Sequence, residues 1–136
     1  MLQRLAVATL VASFVTISGI VPRAAHAQTA SGPVRHVVVF KYRAGTTAEQ
    51  IAEVTAAFRG LASKVPGITA FEDGVNNSPE KRNLGFTHVY LLTFKDVAAR
   101  DAYLPHPDHQ QFGQFLGKLK VVEDVFVIDY VSTATK

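Results

Sequence analysis

Three of the four segments that read as β-strands in this sequence are apolar on both faces, and that restricts the fold more than any other feature. Successive side chains of a strand point to opposite faces of the sheet. Along His36-Val-Val-Val-Phe-Lys-Tyr42, Val37 and Val39 point one way, and His36, Val38, Phe40 and Tyr42 the other. Along Phe86 to Phe94, Val89 and Leu91 oppose Phe86, His88, Tyr90, Leu92 and Phe94. Along Val121 to Val131, Val125 and Val127 oppose Val122, Phe126, Ile128 and Tyr130. A sheet made of such strands needs cover on both sides.

The chain supplies helices for one side. Thr46-Thr47-Ala48-Glu49-Gln50 carries a capping box, a threonine with a Gln or Glu three residues on. Ile51, Val54, Phe58, Leu61 and Val65 then recur on one helical face, and Pro66-Gly67 stops the helix. Ile68 to Val75 reads as a weaker strand, and residues 76–85 as a polar loop. Asp96 caps a short helix to about Leu104, broken by Pro105 and Pro107, and a further helical piece runs from Pro107 to Lys118. The order β-α-β-β-α-β predicts an α+β, ferredoxin-like domain, a four-stranded antiparallel sheet with helices on one face.

The other face would then expose more apolar surface than the few hundred Å² usual on a monomer. A second copy of the same sheet is the simplest cover. A homodimer with facing sheets is expected, enclosing a cavity between them. His36 and His88 are assigned to the face lining that cavity. Antiparallel pairing of the first and third strands puts His36 near Phe94 and His88 near Tyr42, at opposite ends.

Residues 1–27 read as a cleavable signal peptide: Arg4, an apolar run from Leu5 to Val21, and Ala25-His26-Ala27 at the cleavage point. A periplasmic or secreted protein is expected, with no membrane attachment after cleavage. Residues 28–34 form a loose leader, 35–132 the domain and 133–136 a tail. Losing Arg4 and Arg23 takes the formal net charge from +3 to +1. No basic patch interleaved with aromatics is present, so nucleic acid is not an expected partner. With no cysteine, neither a disulfide nor a thiolate zinc site can staple the fold. No phosphate-binding glycine loop or nucleophile elbow occurs, His-x-x-His lacks metal-binding helical spacing, and no axial haem ligand stands out; no cofactor is expected. Asp129 reads as an edge or pairing residue.

Chemistry concentrates in Tyr103-Leu-Pro-His-Pro-Asp-His-Gln-Gln-Phe-Gly113. Pro107 suits the first position of a helix, where no amide donor is needed. His106 would be its N-cap and His109 would lie in the first turn. The positive end of the helix dipole favours a neutral His109, available as a base. Tyr103, one turn earlier, could donate its hydroxyl to a developing oxyanion. The same residues also suit a plain helix corner, with Tyr103 packed in the core, His106 capping backbone and His109 bonding a carbonyl.

From His36 to Val131 the chain resembles the stress-responsive A/B barrel (Dabb) family of the dimeric α+β barrel superfamily. The matching pieces are "HVVVFKYRAG", "VPGITAFEDGVNNSPE", "GFTHVYLLTF", "YLPHPDHQQFG" and "VFVIDY". The resemblance implies a dimeric barrel. One plant member is a polyketide cyclase performing an intramolecular aldol condensation, and its catalytic tyrosine and histidine match Tyr103 and His109. The resemblance also places His36, His88, His106 and Phe112 in the pocket; Val38 and Phe40 join them by strand parity. Val54, Tyr90 and Gly117 to Lys120 depart from the apolar pocket lining in size or polarity. The expected function is binding of a small apolar carbonyl or aromatic ligand in the dimer cavity. The alternatives are a cyclase or lyase using the Tyr/His pair, and a structural dimer without ligand.

Overall fold

The computed structural model describes residues 32–132. The expected signal peptide and C-terminal tail lie outside the described residues. Strand β1 is Val34–Tyr42, helix α1 Ala48–Lys64, strand β2 Ile68–Val75, strand β3 His88–Phe94, helix α2 Val97–Tyr103, helix α3 Pro107–Leu119 and strand β4 Val122–Val131. They form one antiparallel sheet in the order β2-β3-β1-β4. This is the expected ferredoxin-like arrangement. Strand β1 starts two residues before His36, because Val34 pairs with both Phe94 and Val131.

Local chemistry sets the helix limits. Thr47 and Gln50 make the capping box reciprocally, at 3.3 and 3.0 Å. At the other end, Gly67 adopts φ +93°, and a Cβ there would lie 2.6 Å from the Ala99 Cβ of α2. Only glycine meets both conditions, so α1 can turn into β2 directly beneath α2.

The helices cover the face carrying Val34, His36, Val38, Phe40, Tyr90, Leu92 and Phe94, all buried. The alternation of each central strand is as expected, but the assignment of its sides is reversed. His36, Val38, Phe40 and His88 lie between sheet and helices, not on the open face. Parity defines two sides without saying which the helices take, and here they take the more aromatic one. Phe58 and Phe112 of the helices complete its core, with Phe58 stacked near Phe40, Tyr90 and Phe112 at centroid distances of 6.0, 5.1 and 4.6 Å. Phe86 also departs from the expected alternation. It precedes β3 and leans on Phe126, 6.1 Å away, on the open face.

The open face presents Val37, Val39, Val89, Leu91, Phe126, Ile128 and Tyr130, by strand pairing. On β4, Phe126, Ile128 and Tyr130 are each about half exposed, and so are Val125 and Val127 on its opposite side. The edge strand is therefore uncovered on both sides.

Candidate functional site

The α2–α3 corner is built by two caps and a proline. Asp96 accepts from the Ala99 amide at 2.8 Å and starts α2. Seven residues later α2 ends on Tyr103, whose ring is wholly buried. Leu104 and Pro105 turn the chain, and the His106 amide donates to the Tyr103 carbonyl at 3.0 Å. Pro107 opens α3 as its first residue, and His106 caps it, its Nδ1 accepting from the Asp108 amide at 3.3 Å.

His109 is the third residue of α3. Its Nδ1 lies 2.9 Å from the Leu104 carbonyl. A carbonyl can only accept, so Nδ1 donates here, and Nε2 is the ring nitrogen that the Leu104 carbonyl leaves free. The His109 ring lies against Tyr103, 4.2 Å between centroids and 36° between planes. The corner is thus a capped helix break, as the plainer reading of the sequence expects, and its tyrosine and histidine rings are in contact.

The Tyr103 hydroxyl is buried and has no hydrogen-bond partner among the described residues. Burial pushes its phenol up, and the negative charge of Asp129 adds to this. The group stays protonated and is an unspent donor. Leaving it unmatched costs about 1–3 kcal/mol.

His36 forms the floor of the site. It is buried on β1, 5.7 Å from the Tyr103 ring and 6.0 Å from Phe94. Its Nδ1 lies 2.6 Å from Asp129 Oδ1 on β4, and the other carboxylate oxygen pairs with Arg100 of α2. Arg100 also donates through Nε to Asp101 at 2.7 Å. Burial lowers the His36 pKa, outweighing the raising effect of Asp129. His36 is therefore a neutral imidazole donating Nδ1–H to the Asp129 side chain, with Nε2 left as an acceptor.

That depressed pKa has a stability consequence. A group whose folded pKa lies below its unfolded value contributes stability above the unfolded pKa and loses it as pH falls through the folded one. For His36 the loss begins near pH ~6.5 and continues downward. His88 is shifted the same way by burial. Thermal unfolding followed between about pH 8 and 5 should give a melting temperature that drops on acidification. His36→Gln should flatten part of that slope; an unchanged slope would remove His36 as its source.

Tyr103, His109 and His36 thus come together, with His106 at the rim as cap. Phe112 and Val38 are buried core neighbours. Phe40 marks the far end of the core, because it pairs with His88, four residues along β1 from His36. Four strand residues span about 13 Å, so His88 is not part of the Tyr103 cluster. Its ring instead lies 4.9 Å from Tyr42, as expected from strand pairing. Asp129 and Arg100 were not foreseen as partners of the site. The β4–β1 neighbourhood of a ferredoxin-like sheet places Asp129 opposite His36, and that pairing was the available signal. A cleft of about 150 Å³ borders Asp129 and Arg100, and larger cavities of about 330 and 360 Å³ lie elsewhere; none of these three is lined by Tyr103 or His109. Among the described residues no group of three or more His, Asp or Glu could hold a metal ion. None of their helices is long and apolar enough to cross a membrane.

The model of the stress responsive A/B barrel domain matches residues 34–132, the whole of the sheet and its helices. The chain belongs to this family. The stress-response A/B barrel domain-containing protein HS1 of Arabidopsis thaliana is 34% identical over 108 residues, covering 79% of this chain and 96% of that protein. Olivetolic acid cyclase of Cannabis sativa is 26% identical over 97 residues, covering 71% and 94%. Among solved structures, the hydroxynitrile lyase of Passiflora edulis superposes with a TM-score of 0.69 at 27% identity, covering 77% of this chain and 97% of the lyase. A dimeric ferredoxin-like protein of unknown function from Jannaschia superposes with a TM-score of 0.63 at 31% identity, covering 74% and 100%. Proteins similar to this chain therefore include ones named as enzymes and one described as dimeric.

Proposed function

We propose that this A/B barrel protein is a homodimer whose Tyr103–His109 site binds a small apolar carbonyl compound and makes or breaks a carbon–carbon bond beside the carbonyl. The observation that carries the reading is the buried, unpartnered Tyr103 hydroxyl, on a ring that lies against the His109 ring. A protonated phenol in an apolar site is a donor for a carbonyl oxygen that gains charge. His109 Nε2, set as the acceptor by the Leu104 carbonyl, takes a proton from the carbon next to the carbonyl. The resulting enolate attacks a second carbonyl of the same compound, and the alkoxide formed there receives the proton back from His109. Read in reverse, the same steps cleave. Two relatives named as a cyclase and a lyase support chemistry of this kind.

Part-exposed His109 lies against the buried tyrosine, so the ligand approaches along the α2–α3 corner. The homodimer reading rests on the open apolar face and on relatives described as dimeric. The signal-peptide reading of residues 1–27 makes the protein exported, and N-terminal sequencing of the mature protein should begin at Gln28.

Benzaldehyde, which has a carbonyl oxygen and no hydroxyl, is a suitable probe. Calorimetric titration should show binding that weakens roughly tenfold in Tyr103→Phe, the loss of about one hydrogen bond. The melting temperature of that variant should hold or rise, because the orphan donor is removed. Equal affinity in wild type and Tyr103→Phe would refute the site.

A further inference from the structure

An arginine outside the Tyr103–His109 pair is tied to the floor beneath it. Arg100 stands on α2 three residues before Tyr103, and so on much the same side of that helix. Its Nη1 donates to Asp129 Oδ2 on β4, and its Nε donates to Asp101 at 2.7 Å. The other oxygen of Asp129 lies 2.6 Å from His36 Nδ1 on β1. One carboxylate therefore joins α2, β4 and β1 directly beside Tyr103. Arg100 and Asp129 are both part-exposed, and ion pairs this open to water contribute little to stability. Folding alone is a weak reason for the arrangement.

The charges around His36 suggest a stronger one. Burial is the largest influence holding this ring neutral. Asp129 pulls the other way, by hydrogen bond and by charge. The charges of His109 on α3 and Arg100 on α2 both oppose an imidazolium at His36. Asp101 and Asp129 in turn hold the Arg100 guanidinium protonated. The His109 and His36 rings lie 4.2 and 5.7 Å from the Tyr103 ring. A histidine that acts as a base becomes positive when it takes its proton, and a positive neighbour opposes that step. A neutral His36 is thus a condition for His109 to work.

We propose that Arg100 is a positioning residue for the Tyr103–His109 site: it engages Asp129 so that His36 is held under Tyr103 as an uncharged ring, and His109 alone takes the proton. The inference rests on the reading of Tyr103 and His109 as a working pair.

Nitrogen-15 NMR titration of the His36 ring in the mature protein tests it. Arg100→Met should move the His36 titration to higher pH, and Arg100→Lys, which keeps the charge, should bring it back towards the wild type. Asp101→Asn leaves the guanidinium wholly to Asp129 and should move it to lower pH. Asp101 is exposed, so this variant decides the matter even if Arg100→Met fails to fold. Exchange of the methyl hydrogens of acetophenone in heavy water reads the proton abstraction itself. Its loss on acidification should begin at higher pH in Arg100→Met than in the wild type. A His36 titration that stays put in these variants, or moves the same way in Arg100→Met and Asp101→Asn, would overturn the proposal, whatever happens to the melting temperature. A wild type that exchanges nothing would instead count against the Tyr103–His109 reading, and the His36 titration would still decide the part played by Arg100.

Discussion

Phe58→Ala should lower the melting temperature by roughly 15–30 °C. Phe58 is 2% exposed and stands in the middle of the helix-side core. Its ring meets Phe40, Phe71, Tyr90 and Phe112 at centroid distances between 4.6 and 6.0 Å. Removing a ring from such a place loses its transfer energy and leaves a void the four neighbours cannot close. Phe→Ala at a buried site costs about 3–5 kcal/mol. In a domain of about 100 residues each kcal/mol is worth roughly 4–8 °C. Phe58→Leu, which keeps much of the volume, should cost far less, about 1.5 kcal/mol or below. A loss under about 5 °C for Phe58→Ala would mean that α1 is not held by this cluster.

Ile128→Asp should convert the protein from dimer to monomer. Ile128 lies on the open face of β4, pairs with Val37 of β1, and is 47% exposed in the isolated chain. In a two-fold dimer one substitution enters the interface twice. A carboxylate desolvated without a partner costs several kcal/mol. At about 2–3 kcal/mol per copy, dissociation should rise about a thousandfold or more. Light scattering after size exclusion reads this directly, and the wild type should scatter at twice the chain mass. Because dimerisation stabilises by mass action, the wild-type melting temperature should also rise with protein concentration, and that of the variant should not. A wild type that is monomeric at micromolar concentration would remove the homodimer.

The strands and helices were legible because each is set by local chemistry. The Thr47–Gln50 capping box, Pro66-Gly67 and the Pro105–Pro107 corner all leave marks in the sequence, and β2 and the start of α3 fall where those marks place them. Alternation along β1 and β3 was equally plain. Which side the helices would take was not, because His36-Val-Val-Val-Phe is apolar on both. Two-sided strands carry no label for inside, and the choice is made by how α1 and α3 fill the space above Phe40 and Tyr90.

The candidate site divides in the same way. Tyr103, His106 and His109 sit within seven residues, and a proline-led helix start fixes their relative positions, so a single stretch carried them. Asp129 and Arg100 come from β4 and α2, far apart in sequence, and meet His36 only through the sheet order and the tilt of α2. The separation of His88 from His36 was legible, because the pairing of β1 with β3 puts them at opposite ends. That Tyr103 stands at the His36 end was not, because it depends on how α2 packs on the sheet.

The central claim is that Tyr103 and His109 act on one ligand as donor and acceptor. Nitrogen-15 NMR of the His109 ring during a benzaldehyde titration tests it most directly. The free protein should show a proton on Nδ1 and a bare Nε2. Benzaldehyde should shift both His109 nitrogens saturably in the wild type, and about tenfold more weakly in Tyr103→Phe. A His109 ring protonated on Nε2 instead, or one that ignores benzaldehyde while the protein stays folded, would contradict the account.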